Sequence, residues 1–144
     1  MPKIDFYILA DNNPARFLLA CRLIEKAYKN RHRIYIHTDN ETDAHKLDEM
    51  LWTYRDDSFL PHNLYGEGPE PAPPIQIGFN ATPEKHRDIL INLSLQIPTF
   101  FQQFNRILEL VSNEEAIQES ARERFRSYRS QSIEIITHKL QTVE

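Results

Sequence analysis

The order of apolar and polar residues in the first third of the chain predicts alternating strands and helices. Residues 4–9 form a short apolar run rich in β-branched and aromatic side chains, which predicts a buried strand. Apolar residues recur at helical spacing over residues 14–29, and residues 33–37 predict a second strand. Thr38-Asp39-Asn40 supplies the start of a second helix. This alternation predicts an α/β fold, with a mainly parallel central sheet flanked by helices.

The second half of the chain gives a less regular pattern. Residues 65–74 hold four prolines and two glycines, too many for a regular element, and residues 75–79 and 88–93 then predict two strands. Residues 100–111 mix aromatics with the run ILELV, so strand and helix both remain open there. Ser112-Asn113-Glu114-Glu115 predicts a capping box, in which Ser112 accepts from the backbone and Glu115 reaches back, opening a helix through about Arg129. The last residues show no strong pattern.

Composition adds the class of protein and its expected compartment. The 144 residues predict one domain, 1–144, with 40% apolar residues and a net charge of −4 that argues against a general nucleic-acid coat. The start of the chain lacks the apolar run of a signal peptide and no segment predicts a membrane span, so a cytoplasmic protein is expected. Cys21 is the single cysteine and lies in a helical apolar pattern, which predicts a buried small hydrophobe.

Motifs for cofactor chemistry are missing from the sequence. The first strand-to-helix turn reads ADNNPA and contains no glycine, so backbone amides cannot approach a phosphate closely. Neither a P-loop nor a dinucleotide fingerprint occurs elsewhere. The six histidines form no HExxH or paired helical spacing, and one cysteine cannot build a Cys-based zinc site. We therefore expect no nucleotide-binding loop, no metal and no cofactor.

The stretch SFLPHNLYGEGP, residues 58–69, is open to two interpretations. Ser58 and His62 invite a nucleophile–base pair, but no G-x-S-x-G elbow accompanies them, and a non-catalytic role is favoured. Around them lies a dense set of apolar residues: Trp52, Phe59, Leu60, Pro61, Leu64 and Tyr65. Aromatics on a rigid loop are typical of protein–protein hot spots. They also suit a loop that folds back and caps the sheet, and the sequence leaves both interpretations open.

The last predicted helix carries an apolar stripe beside a basic one. The apolar stripe consists of Ile117, Ala121, Phe125 and Tyr128. The basic stripe consists of Arg122, Arg126 and Arg129, with Arg124 further round the helix. A solvated helix face is the plain interpretation, and Glu119 and Glu123 would partly neutralise it. Arginine beside exposed aromatic surface nevertheless favours binding of an acidic peptide or a carboxylate.

Five motifs together resemble one known family. FYIL, KLDEMLW, SFLPHNLYGEGP, RDILINL and ARERFRSYR occur in this order over nearly the whole chain. In this respect the chain resembles the chi subunit family of bacterial DNA polymerase III. The resemblance implies a three-layer, Rossmann-like fold without nucleotide binding, and no catalytic activity. It also implies two protein partners, namely the psi subunit of the clamp-loader complex and the acidic C-terminal tail of single-stranded DNA-binding protein, with DNA contacted mainly indirectly.

The resemblance also implies which residues meet each partner. The expected psi-binding residues are Trp52, Phe59, Leu60, Pro61, His62 and Leu64. The expected tail-binding residues are Val111, Arg122, Phe125, Arg126 and Arg129. The chain departs from the family pattern at Gln118, Phe125 and Arg126. The family usually has Tyr at the position of Phe125 and Lys at the position of Arg126. As psi anchors, Trp52 and Phe59 are expected to be partly exposed in the isolated chain.

Two alternative functions stay open at this point. The arginine helix could bind single-stranded DNA directly, with Phe125 and Tyr128 as stacking platforms. A small α/β hydrolase could instead use His62 and nearby groups.

Overall fold

The central sheet is built from parallel strands. In the computed structural model, which describes residues 2–55, 57, 59–68 and 70–141, seven strands form one sheet in the order β3-β4-β2-β5-β6-β1-β7. The strands are β1 Lys3–Leu9, β2 Ile34–His37, β3 His62–Leu64, β4 Ile75–Gly78, β5 Ile89–Asn92, β6 Arg106–Val111 and β7 Ile135–Leu140. Every neighbouring pair is parallel. The predicted mainly parallel α/β sheet is confirmed.

Helices cover both faces of this sheet. They are α1 Asn13–Lys29, α2 Glu41–Thr53 and α3 Glu115–Ser130, with a short 3-10 helix at Phe101–Gln103. α1 and α2 pack on one face, and α3 packs on the other. Successive residues of a strand point to opposite faces, so Ile107 of β6 joins the core under α3 while Leu108 joins the core under α1 and α2. The result is the expected three-layer arrangement.

Asparagine caps define where the first two helices begin. The Asn12 side chain accepts a hydrogen bond from the Ala15 amide at 3.2 Å, and the Asn40 side chain accepts one from the Asp43 amide at 2.8 Å. Each cap satisfies an amide that the helix itself leaves unpaired. The helix start predicted at residues 38–40 is therefore confirmed.

The predicted capping box of α3 is wrong. The helix begins at Glu115, its N-cap is Glu114, and no side chain of the described residues caps it. Ser112 instead donates its hydroxyl to one oxygen of Glu114, whose other oxygen accepts from the Asn13 amide at 2.8 Å. The box fails because Ser112 directly follows β6 and precedes the N-cap by two residues, so its hydroxyl is too early to reach the amides of the first turn.

The sequence patterns did not predict two of these strands, and the structure resolves the ambiguity between strand and helix at residues 100–111. β3 has three residues, too few to show a period, and β7 is half-exposed at the sheet edge, where apolar alternation is weak. β7 pairs with β1, more than 120 positions away in sequence, so Ile4 lies opposite Ile135. Residues 100–111 divide into the 3-10 helix and β6.

Cys21 is fully buried as predicted, and burial raises the pKa of its thiol to about 12.

Candidate functional site

A buried polar network fixes α3 on the sheet. Glu109 of β6 is completely buried and accepts hydrogen bonds from Arg124 Nε at 3.0 Å and from the Tyr128 hydroxyl at 2.7 Å. The Asn92 amide donates to both of its oxygens, at 3.0 and 3.1 Å. Burial raises the pKa of Glu109, whereas the Arg124 charge and the three donors favour the carboxylate. Arg124 and Tyr128 therefore belong to the core and are not available to a ligand.

This network decides which arginines of α3 face outward. Arg124 also donates to the Leu95 carbonyl at 3.0 Å, which ties α3 to the loop after β5. Arg122, Arg126 and Arg129 are exposed as a consequence, and Arg126 pairs with Glu123 at 2.8 Å. The idea that Tyr128 serves as a stacking platform for DNA is wrong, because its ring is fully buried.

A small cavity lies between β1 and α3. Its volume is about 240 Å³, and it is lined by Phe6, Ile8, Val111, Gln118, Ala121, Arg122 and Phe125. Val111 and Phe125 form apolar wall, and Arg122 supplies a charge beside them. The Phe125 ring packs against the Phe6 ring with centroids 5.4 Å apart. The fold thus brings three of the five predicted tail-binding residues into one concave site.

The other two predicted tail-binding residues lie outside the cavity, and some residues that line it were not predicted. Arg126 and Arg129 lie on the exposed surface of α3 and do not line the cavity. Phe6, Ile8 and Ala121 line the cavity without having been predicted to do so. The alternation of side chains along β1 could have shown that Phe6 and Ile8 share one face of the sheet. No local pattern indicates that α3 packs over that face.

A separate apolar surface lies at the end of α2. Trp52 is 58% exposed and Phe59 is 69% exposed, with their ring centroids 6.1 Å apart. The expectation that both rings are partly exposed is confirmed. Trp52 also packs against the His62 ring, at 4.6 Å between centroids. Two large adjacent aromatics in solvent are uncommon on a protein surface, so this pair is a candidate binding surface.

The other predicted members of this surface lie beneath it. Leu60, His62 and Leu64 are buried, and Pro61 is half-buried. The segment is therefore part core and part exposed surface, and the interpretation as a loop that folds back onto the sheet holds for its buried residues. A partner resting on Trp52 and Phe59 would meet a surface whose shape these buried residues support.

The position of His62 argues against a catalytic role. Its side chain has no solvent exposure, Nδ1 lies 2.6 Å from the Leu60 carbonyl, and Nε2 lies 3.2 Å from the Asp48 carbonyl. A general base needs a ring nitrogen free to reach a substrate proton. Ser58, the imagined nucleophile, lies outside the described residues. In the described part of the chain, no group of three or more His, Cys, Asp or Glu side chains is placed to hold a metal ion.

Other groups of the protein form hydrogen bonds with the backbone of the ADNNPA turn. The Asn13 amide at the start of α1 donates to the Glu114 carboxylate, and the Asn113 amide donates to the Asp11 carbonyl at 2.8 Å. A helix N-terminus attracts anions, and here Glu114 takes that place. A nucleotide phosphate bound at this turn would have to displace a carboxylate of the same charge sign.

Comparison with known proteins identifies the family. The family model described as DNA polymerase III chi subunit, HolC, matches residues 1–136. A Pseudomonas aeruginosa protein named DNA polymerase III subunit chi is 41% identical over 141 residues, covering 97% of this chain and 98% of that protein. Proteins of the same name from Escherichia coli and Haemophilus influenzae are 34% and 33% identical, covering 90% and 94% of this chain and 92% and 96% of their own lengths. No helix in the described part of the chain is long and apolar enough to cross a membrane. The chain belongs to the DNA polymerase III chi subunit family, whose members are accessory subunits in DNA replication.

Proposed function

We propose that the chain is a non-catalytic adaptor of the DNA polymerase III holoenzyme in the cytoplasm. It would bind the psi subunit of the clamp-loader complex through one surface and the acidic C-terminal tail of single-stranded DNA-binding protein through another. The two partners would thereby be linked during replication. The observation that supports this proposal best is the cavity between β1 and α3, which combines apolar walls with an exposed arginine.

The cavity suits the chemistry of an acidic tail that ends in a hydrophobic residue. Such a tail offers side-chain carboxylates, a terminal carboxylate and an apolar plug. A volume of about 240 Å³ is small for a drug-sized ligand and is suited to a single side chain. Val111 and Phe125 would contact the plug, while Arg122 at the rim would bind a carboxylate through charge-assisted hydrogen bonds. Arg126 and Arg129 would attract the remaining acidic residues from the adjacent surface.

Calorimetric titration with a tail peptide tests this site. Arg122 is exposed, so its pairing is modest in energy, but Arg122→Glu replaces attraction by repulsion at the rim and should remove most of the binding. Binding by the unaltered chain should weaken as salt rises. The matched control is Arg33→Glu, an equal charge change just before β2, at the opposite end of the parallel strands from Val111. Equal affinity of both variants for the peptide would refute the site.

The psi surface centres on Trp52 and Phe59. Both rings are exposed and adjacent, so a partner can bury them at little cost in reorganisation. Phe59→Ala should weaken psi binding by about 2 kcal/mol or more, roughly thirtyfold, with a much smaller loss of folding stability. Leu95→Ala removes another exposed apolar side chain, near α3, and serves as the control. If Leu95→Ala weakens psi binding as much as Phe59→Ala does, the surface is wrongly placed.

A further inference from the structure

A second concave site lies on the opposite face of the sheet from the cavity at α3. It is a groove of about 530 Å³ between α1, the residues that follow α2, and the edge formed by β1 and β7. β1 separates the two sites, because Phe6 and Ile8 line the cavity whereas Tyr7 lines the groove. A ligand in one site therefore leaves the other site free.

The groove concentrates positive charge in an acidic chain. Arg22, Lys26 and Lys29 line it from α1, where their spacing puts them on one helix face, and Arg55 lines it from beyond α2. Among the described residues that line the groove, Glu25 is the one acidic residue, so four positive charges less one negative charge leave +3 there, whereas the whole chain carries −4. A positive lining in a chain of negative net charge makes the groove a candidate anion-binding site.

Pairing inside the protein neutralises only part of this charge. Glu25 is buried, and its two oxygens lie 3.5 Å from Arg55 Nη1 and 3.7 Å from Lys29 Nζ, so one carboxylate is shared by two cations. Arg55 also pairs with exposed Asp57 at 3.3 Å. Among the described residues, Arg22 and Lys26 form no ion pair. Glu25 thus holds Lys29 and Arg55 over the groove, and Arg22 and Lys26 are available to a ligand.

Two tyrosines supply flat apolar surface in the same groove. Tyr7 and Tyr54 are both half-buried and both line it, and the Tyr7 ring is stacked on the His138 ring at 4.5 Å. Cations that follow a phosphate backbone, together with aromatic rings on which bases stack, are the combination by which proteins bind single strands without reading sequence. An acidic peptide would use the cations and leave the rings without a partner.

We propose that this groove binds single-stranded nucleic acid, with phosphates on Arg22, Lys26, Lys29 and Arg55 and bases against Tyr7 and Tyr54. This site lies on a different helix and a different face from the arginines of α3, and it does not depend on the proposed tail site. If both sites function, the chain holds an acidic tail and a nucleic-acid strand at once, on the two sides of β1.

Fluorescence anisotropy of a labelled deoxythymidine oligonucleotide tests the groove on the full chain. Contacts to three or four phosphates predict a slope of about −2 to −3 for log affinity against log salt. The double variant Arg22→Glu, Lys26→Glu should weaken binding at low salt by at least about tenfold. Tyr54→Ala should weaken it by at least about fivefold, through lost base stacking.

The matched control makes the same charge change on the other face. The double variant Arg122→Glu, Arg126→Glu should lose the tail peptide in calorimetry while keeping its affinity for the oligonucleotide. Equal loss of the oligonucleotide in both double variants would overturn the groove as a site. Absence of binding at low salt, or displacement of the oligonucleotide by an equal concentration of polyglutamate, would overturn it as well. Circular dichroism of each variant separates these outcomes from misfolding.

Discussion

Removal of the Arg124 guanidinium should destabilise the protein strongly, although Arg124 lies in a helix rich in surface arginines. Arg124 is 4% exposed and donates to Glu109, which is completely buried. Arg124→Met keeps the length and much of the apolar volume of the side chain and removes the charge. Glu109 would then be a buried carboxylate without its cation, for which losses of about 3–5 kcal/mol are typical. That is a large share of the roughly 5–15 kcal/mol that stabilises an ordinary domain.

Urea unfolding followed by circular dichroism measures this loss. Arg122→Met is the matched control, because Arg122 lies on the same helix but is exposed, and its replacement should change the unfolding free energy by less than about 0.5 kcal/mol. The double variant Arg124→Met, Glu109→Gln should be more stable than Arg124→Met alone, since no buried charge is left without a partner. The midpoint of each curve, at an unchanged slope, reports the difference.

The pH dependence gives a second test of the same network. Burial raises the pKa of Glu109 in the folded chain, so its protonated form favours folding below the unfolded pKa of about 4.3, and this contribution is lost as pH rises. Arg124 offsets that loss near neutral pH, and Arg124→Met should therefore cost much more at pH 7 than at pH 4.5. A loss below about 1 kcal/mol at pH 7, or the same loss at both pH values, would refute the inference that Glu109 is a buried carboxylate held by Arg124.

Three further predictions concern other buried groups. Burial raises the pKa of Asp5, but hydrogen bonds from Arg106 and from a histidine of β7 outweigh it and lower the pKa overall. Asp5 therefore stabilises the fold above its unfolded pKa of about 3.9, and Asp5→Asn should flatten the acid limb of the stability curve. Cys21 should react with a thiol reagent at pH 8 far more slowly in the folded chain than in urea, because its pKa is about 12. Gly78→Ala would place a methyl group on the Tyr35 hydroxyl and should lower the unfolding free energy by about 1–3 kcal/mol, part of which Tyr35→Phe should restore.

The sequence predicted those parts of the fold that depend on local patterns. The period of apolar residues located α1 and α2, and the side chain of Asn40 marked a helix start that the structure confirms. The local signal failed at Ser112, because a capping box is recognised by spacing alone while the end of β6 decides where the helix can begin. It also failed at β7, because an edge strand is half-exposed and depends on pairing with β1 for its order.

The candidate sites show the same division. Motif order was sufficient to place the chain in its family. The aromatic loop segment indicated that Phe59 was a candidate for binding, and the helical spacing of the arginines indicated the same for Arg122. Only the packing of α3 across β6 decided that Arg124 is a structural residue and Arg122 a surface residue, although they are two positions apart.

What the sequence determined by itself was the class of fold, most helix and strand positions and the family. Those features follow from interactions within a few residues and from a string of motifs. The tertiary structure decided which side chains share a cavity, as with Phe6 and Phe125, and which are withdrawn into the core, as with His62. The physical reason is that burial and ion pairing depend on contacts between residues distant in the chain, and no local pattern specifies them.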